Sequence, residues 1–379
     1  MARRAADPRV ASVATPTAGI VVYGDLDARS GGYRYDRELA DHLRERGWKL
    51  EVVSLPERPW SLPAASAPGL AARLEACDVV VADAYCAPSL YCTIRGLETP
   101  VVALVHYLRS AAGGDERRGW VDQPVERAFL AAADAFVYNS EPTRRAVEQL
   151  CADPVESPGD DDGPASVAAS PAVVAPPAGD RLGSGPAFTA DAGRPDPFRV
   201  VAVGTVTPRK GIDTLVRGLS RLAGVDWRLR VVGETATDPE HVAALRALAD
   251  RLGVASAVTF TGRVSDAALR AALRRAHVLA VPSRYEPFGI VYVEGMAFGL
   301  PAIASTNGGA SDVVDGENGA LVPPADPDAV ADAIEPLATD PARLARASRA
   351  ARETAAAHPT WTATCDRIRR FLAAIVDDR

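Results

Sequence analysis

Residues 281–305 read VPSRYEPFGIVYVEGMAFGLPAIAS. An apolar strand beginning at 278 ends against Pro282, a polar loop carries Glu286, and Pro287 suits a first helical turn, where a missing N–H costs nothing. The stretch 289–298 has helical period, and 301–305 is apolar again, so strand, loop, helix and strand follow one another as in a parallel sheet clad with helices. A helix starting here leaves the amides of Phe288, Gly289 and Ile290 without helical acceptors, which suits an anionic diphosphate. Gly289 has no side chain to block a close approach. Glu286 and Glu294, eight residues apart, would stand about 12 Å apart along a helix axis and about 80° around it. That spacing fits the two ends of an elongated ligand, Glu286 at a sugar and Glu294 at a ribose, since carboxylates accept from hydroxyl groups. The plainer reading makes Glu286 a helix cap and Glu294 a solvated helical acid.

Outward from this stretch the same alternation continues. In the second half, strands at 199–203, 227–232, 258–261 and 278–281 alternate with helices at 212–222, 239–252 and 266–276. The first half gives strands at 19–23, 50–54, 79–82, 101–106 and 135–139, helices at 33–47 and 142–150, and a short apolar patch at 172–175. The fold class is therefore α/β: two Rossmann-like domains facing an interdomain cleft. The expected divisions are a mobile tail at 1–17, a first domain at 18–196 with a flexible segment at 152–171, a second domain at 197–357, and a helix at 358–379 crossing back to the first. The flexible segment is rich in Pro, Gly, Asp and Ser, which bury too little apolar surface to offset ordering.

A second constellation is VVAVGTVTPRKGIDTLVRGL at 200–219, a strand, a glycine-containing loop with Arg209 and Lys210, then a helix. Cations at such a junction hold phosphate oxygens beside free helix amides; solvated surface cations are the alternative. The loop lacks both the G-x-G-x-x-G of dinucleotide binders and the G-K-[ST] of P-loops. In the first half Gly31 and Gly32 precede an amphipathic helix, which fits an amide-lined loop at a helix N-terminus or simply a turn. His106 ends the strand VVALVH, where open α/β sheets place ligand-facing residues; a hydrogen-bonded structural histidine is the alternative. The following residues 108–120 suggest a mobile acceptor-side loop.

Together VGTVTPRKGIDTL, EPFGIVYVEGMAFGLPAIAS, NGGASDVV and NGALVPPADP resemble the donor-site motifs of the retaining GT-B glycosyltransferases of family 4. The resemblance implies a UDP- or GDP-sugar donor bound in the cleft, a hydroxyl acceptor (glycan, lipid or small molecule), no metal, no cofactor beyond the co-substrate, and retention of anomeric configuration. By position, Lys210 resembles the family's diphosphate lysine, Glu286 its sugar-contacting glutamate, Glu294 its ribose glutamate, and Gly289 and Ile290 its amides over the sugar phosphate. Gly31 and Gly32 resemble its first glycine loop, and His106 its cleft histidine. Two positions depart: Thr205 stands where an arginine is frequent, leaving Arg209 to supply charge, and Asp312 replaces a longer acid. An epimerase or phosphorylase on the same scaffold, or a non-catalytic sugar-nucleotide module, remains open at this point.

The composition, 47% hydrophobic and 24% charged, is that of a globular protein. A net charge of -7 argues against nucleic-acid binding, which needs a basic surface. Cys77, Cys86, Cys92, Cys151 and Cys365 form no C-x-x-C pair and read as reduced thiols. Asp25 and Asp27 form a D-x-D read as a solvated loop, as is the acid run 160–162. With no apolar run near the ~20 residues that span a bilayer, a cytoplasmic protein is expected, with peripheral contact at the inner membrane face left open.

Overall fold

The computed structural model describes residues 15–27, 31–57, 68–112, 116–152, 167–189 and 196–378. The expected tail up to residue 14, the acid run 160–162 and most of the segment 152–171 lie outside them. In the first lobe the strands are β1 Thr17–Tyr23, β2 Lys49–Leu55, β3 Val79–Asp83, β4 Val101–Val105, β5 Ala135–Tyr138 and β6 Ala172–Val174. In the second they are β7 Phe198–Val203, β8 Trp227–Val232, β9 Val258–Phe260, β10 Val278–Val281, β11 Ala302–Ser305 and β12 Gly319–Val322. Each lobe is one six-stranded sheet, ordered β2-β1-β3-β4-β5-β6 and β12-β11-β10-β7-β8-β9, with parallel pairing throughout. Central strands such as β3 and β4 are buried at every residue. That is why they read as unbroken Val/Ala runs: parallel strands covered on both faces cannot alternate.

Both sheets reverse direction partway. The first runs from β1 to β2 on one side and then resumes with β3 on the other; the second does the same from β7 to β8 and β9, then β10. Loops leaving the carboxyl ends of strands on either side of such a reversal diverge and open a crevice. Lys210 follows β7 and Glu286 follows β10, while α1 (Gly31–Glu45) follows β1 and Asp83 closes β3, so each lobe offers a crevice.

Helix starts in the second lobe are written plainly. Asp238, Asp326 and Asp340 each precede a proline and accept from the amides two or three residues on, opening α7 (Pro239–Arg251), α10 (Pro327–Thr339) and α11 (Pro341–Ala357). Each such cap contributes about 0.5–2 kcal/mol, and proline loses nothing at the first helical position. The final helix, α12 (Trp361–Asp377), returns to the first lobe: Trp361, Cys365, Ile368 and Leu372 join a core with Tyr35, Leu39 and Leu43 of α1. Polar contacts fix its register, with His42 Nε2 3.0 Å from Asp366 Oδ1 and the Thr364 hydroxyl donating to the Pro176 carbonyl at 2.7 Å.

Several expectations shift. Gly31 and Gly32 are the first two residues of α1, not residues before it, and His106 lies one residue beyond β4. The expected loop 108–120 gives way at Glu116 to α4 (Glu116–Leu130). Its start carries no clean apolar period, so the glycines at 113–114 masked the helix. Within 152–171, Val167 is buried and begins a single turn (Val167–Ala169) leading into β6. The helix expected at 289–298 is shorter, α9 Ile290–Met296, with Gly289 as its cap at φ 87°. Pro287 therefore stands outside the helix, and the helical spacing of Glu286 and Glu294 does not apply.

Candidate functional site

The crevices face each other across one cleft of about 2280 Å³. Of the residues singled out from sequence, Gly31, Gly32, His106, Arg209, Lys210, Glu286, Phe288, Gly289, Ile290 and Glu294 all line it.

Its second-lobe wall is assembled by two loops fastened together. Arg284 makes a two-pronged pair with Asp213, at 3.2 and 2.9 Å, and its amide donates to the Arg209 carbonyl at 2.7 Å. The Glu286 backbone is held from the other side, its amide on Asn307 O at 3.1 Å and its carbonyl accepting from Gly309 at 2.8 Å. So placed, Glu286 Oε2 lies 2.5 Å from Lys210 Nζ and accepts from the Ser283 hydroxyl at 3.0 Å, with Arg209 at 3.9 Å from Oε1. Burial lowers the Lys210 ammonium. Against the same burial, Lys210 and Arg209 hold Glu286 below its ordinary range. The short Lys210 contact, the Ser283 hydroxyl and the nearby Arg209 charge favour the ionised form of Glu286.

Three glycines permit this geometry. Lys210 lies over Gly204, where a Cβ would fall 2.9 Å from Lys210 Cε, and Gly211 at φ 66° would carry a Cβ 2.1 Å from the Pro282 carbonyl. At Gly289 a Cβ would meet the Tyr292 ring at 2.2 Å. Tyr292 is itself pinned through its hydroxyl to Val281 O at 2.7 Å. Among the described residues, the amides of Phe288, Gly289, Ile290 and Val291 have no backbone acceptor, so the mouth of α9 is rich in donors. The Phe288 ring is buried in the second core, so this residue presents only its backbone to the cleft.

Glu294, on the buried face of α9, is not a free acid. Its Oε1 accepts from Arg181 Nε at 3.0 Å and lies 2.9 Å from Arg181 NH2, with Arg34 of α1 at 3.8 Å. Burial raises its carboxyl despite these cations. Arg181 went unnoticed in the sequence because it stands in a Pro/Gly-rich connector. That connector is bound along α9: a Cβ on Gly179 would lie 2.7 Å from Val293.

The first-lobe wall carries groups the sequence did not flag. His106 Nε2 lies 2.9 Å from Asp36 Oδ1, and Asp83 stands beside both. Among the described residues this is the cluster of three whose ligand-type atoms fall within 4.8 Å of one another. Asp83 was findable, because it is the last residue of an apolar strand, the position a sheet reversal exposes. Tyr107 follows His106, its ring 6.2 Å from that of Tyr85 and 6.5 Å from that of Tyr285 across the cleft. Arg109 lies over the Tyr85 ring and 3.3 Å from Asp122.

Of the remaining sequence candidates, Asp312 and Asp25 fall elsewhere, while Asp27 and Thr205 line the cleft. Asp312 does not line the cleft; its Oδ2 accepts from the Glu141 amide at 2.9 Å, at the start of α5 (Glu141–Ala152), and so ties the lobes together. Asp25 accepts from the Asp27 amide at 2.9 Å in an exposed turn. Thr205 lines the cleft beside Gly204. No helix among the described residues is long and apolar enough to cross a membrane.

Residues 188–354 match the family described as Glycosyl transferases group 1. The D-inositol 3-phosphate glycosyltransferase of Stackebrandtia nassauensis is 34% identical over 255 residues, 64% of this chain and 54% of that protein. The GDP-mannose-dependent alpha-(1-6)-phosphatidylinositol monomannoside mannosyltransferase of Mycolicibacterium smegmatis is 35% identical over 184 residues, 46% of this chain and 47% of that protein. The chain thus spans about half the length of these curated relatives. Among solved structures, sucrose-phosphate synthase from Thermosynechococcus elongatus superposes with a TM-score of 0.77 at 22% identity, over 96% of this chain and 100% of that one. Anabaena Alr3699/HepE in complex with UDP and glucose gives 0.68 at 18% identity, over 95% and 100%. The backbone is that of the two-domain GT-B fold.

Proposed function

We propose that this protein is a retaining glycosyltransferase that moves a sugar from a UDP- or GDP-sugar to an acceptor hydroxyl. The observation that carries this reading is the shared corner of the cleft, where the Lys210–Glu286 pair, the donor-rich mouth of α9 and Glu294 line one crevice at a sheet reversal. In this reading the diphosphate lies against Lys210, Arg209 and the amides of Gly289 and Ile290. These preorganised donors meet negative charge as it grows on the leaving group. Glu286 holds hydroxyls of the transferred sugar, and Glu294, oriented by Arg181, holds the ribose. His106, with Gly31 and Gly32 close by, faces the sugar from the other lobe, where the acceptor enters past Tyr107. Charge on the leaving group is met without a metal or other cofactor, and front-face attack by the acceptor requires no enzymatic nucleophile. The similarity of residues 188–354 to the glycosyltransferase family, and the UDP and glucose of the Anabaena structure, support the donor class. In this reading the protein works in the cytoplasm, where nucleotide sugars are the donors, with at most peripheral membrane contact.

The test is incubation with UDP-glucose or GDP-mannose and a panel of polyol and glycoside acceptors, myo-inositol 3-phosphate included. The anomeric configuration of the product is read by NMR, and the assay is repeated after chelation. Transfer with retention, unchanged by EDTA, is expected. An epimerised sugar, a requirement for inorganic phosphate, or donor binding without turnover across the panel would sink this reading.

A further inference from the structure

Asp36 is an acid where the fold gains nothing from one. It sits in the second turn of α1 at 1% exposure, with Oδ1 on His106 Nε2 at 2.9 Å and Oδ2 buried among the described residues without any partner. Leaving such an oxygen unsatisfied is costly, and an apolar side chain would fill the position without that penalty. A second carboxylate, Asp83, is buried on the far side of the cluster. It has a local task, capping the turn after β3 by accepting from the Tyr85 amide at 2.9 Å, yet it also stands within reach of both partners.

The imidazole between them is held on every side but one. The Tyr35 ring meets it edge-on at 5.1 Å, Gly32 lies so close that a Cβ would be 3.4 Å from His106 Cδ2, and Asn139 Nδ2 donates to the His106 carbonyl at 2.6 Å. The ionisable groups facing it are Asp36 and Tyr35 of α1 and Asp83 of β3; across the cleft, Lys210 and Glu286 stand as a neutralised pair. Among the described residues Nδ1 has no hydrogen-bond partner and keeps access to the cleft.

We infer that Asp36 is a positioning residue: it grips His106 by Nε2 and, with Asp83, keeps the ring a two-proton donor whose Nδ1–H is presented to the cleft. The electrostatics agree with the geometry. Burial lowers the imidazole, but Asp36 and Asp83 overcome it and bring it to about 9. Burial pushes Asp83 up to about 7 against the pull of His106. Asp36 both orients the ring and favours its charged form, and Asp83 adds to the second effect. Resting on the function proposed above, that charged N–H faces the transferred sugar and its leaving oxygen.

The experiment has two independent arms. In the unliganded full-length chain, ring ¹⁵N and ¹³C NMR follows each histidine with pH, His106 being assigned by the signal lost in H106Q. The inference expects a doubly protonated ring at pH 7.5, with a midpoint near 9 that falls by at least about one unit in Asp36→Asn and by less in Asp83→Asn. A singly protonated ring at pH 7.5, or an unmoved midpoint in both variants, overturns it. If Asp36→Asn does not fold, the wild-type titration and Asp83→Asn decide.

In the transfer assay, Asp36→Asn should lower kcat about 10- to 100-fold, below the 10²–10⁴ of losing a proton donor outright. The donor KM should barely change and the alkaline limb should move to lower pH. A normal kcat with an unmoved limb also overturns the positioning role. If the NMR result holds while wild type transfers no sugar at all, the grip on His106 stands and only the proposed function falls.

Discussion

The two walls of the cleft are built in different ways. In the second lobe, the groups at the sheet reversal come from two contiguous loops clamped together by Arg284, Asp213 and Asn307, with glycines admitting backbone where a side chain would collide. In the first, Asp36, Asp83, His106 and Tyr107 come from α1, β3 and the exit of β4, and meet only through the fold. A wall made of local backbone geometry is constrained residue by residue. A wall made of scattered side chains constrains only where each strand ends, and its chemistry is freer to vary. The family match at 188–354 covers the first kind and not the second.

The largest expected effect lies in the clamped wall. Lys210→Ala should cut turnover by about 10²–10³ while circular dichroism shows a folded protein; near-normal transfer would remove Lys210 from the chemistry. The variant also strands a buried Glu286, so a stability loss of about 3–5 kcal/mol is expected, relieved in Lys210→Met/Glu286→Gln.

A pair of glycines then separates close approach from backbone strain. Gly47 in the first lobe has φ 85° and open space around its missing Cβ, whereas Gly211 has φ 66° and a carbonyl 2.1 Å away. Alanine at 47 should cost about 1 kcal/mol and at 211 well above 3 kcal/mol, since strain alone is about 1–3. Equal melting temperatures for the two variants would contradict the clamped wall.

For ligand affinity, Glu294→Gln should weaken UDP binding about tenfold or more by calorimetry, since a charge-assisted hydrogen bond contributes about 1.5–3 kcal/mol. Tyr107→Ala should leave UDP binding alone and raise the acceptor KM about three- to tenfold, the scale of one aromatic contact. A drop in UDP affinity from Tyr107→Ala would mean that the walls are not divided between donor and acceptor.

The pH dependence of stability has opposite signs in the two lobes. His277 is held down to about 4 by burial from an ordinary 6.5, so its contribution is present above about 6.5 and lost as pH falls towards 4. His106, brought to about 9, contributes below about 6.5 and loses that contribution as pH rises through 9. Thermal melts of His277→Asn should flatten the acid limb only, and His106→Asn the alkaline limb only.

The difference between the walls also explains what could be read from sequence. Strand β10 and the start of α7 coincide with the apolar runs and with Asp238-Pro239, because burial on both faces and capping chemistry leave local marks. The Lys210 and Glu286 loops were visible as glycine–charge clusters. Asp36 was not, since one acid on an amphipathic helix looks solvated until the folded sheet brings His106 and Asp83 against it, and Arg181 was hidden by its connector. The expected start of α9 at 289 is one residue early, because Pro287 imitates a first turn that the left-handed Gly289 delays.

The return of α12 separates the order of the chain from the order of the folded body. The core beneath α1 includes Trp361, Ile368 and Leu372, which are translated only after all twelve described strands. During synthesis the first lobe therefore emerges with one flank uncovered and waits for the whole second lobe before it can close. Cutting this protein at the connector to obtain two separate pieces would leave one of them without its final side, and a nascent-chain experiment should find that piece protease-sensitive until α12 has cleared the ribosome.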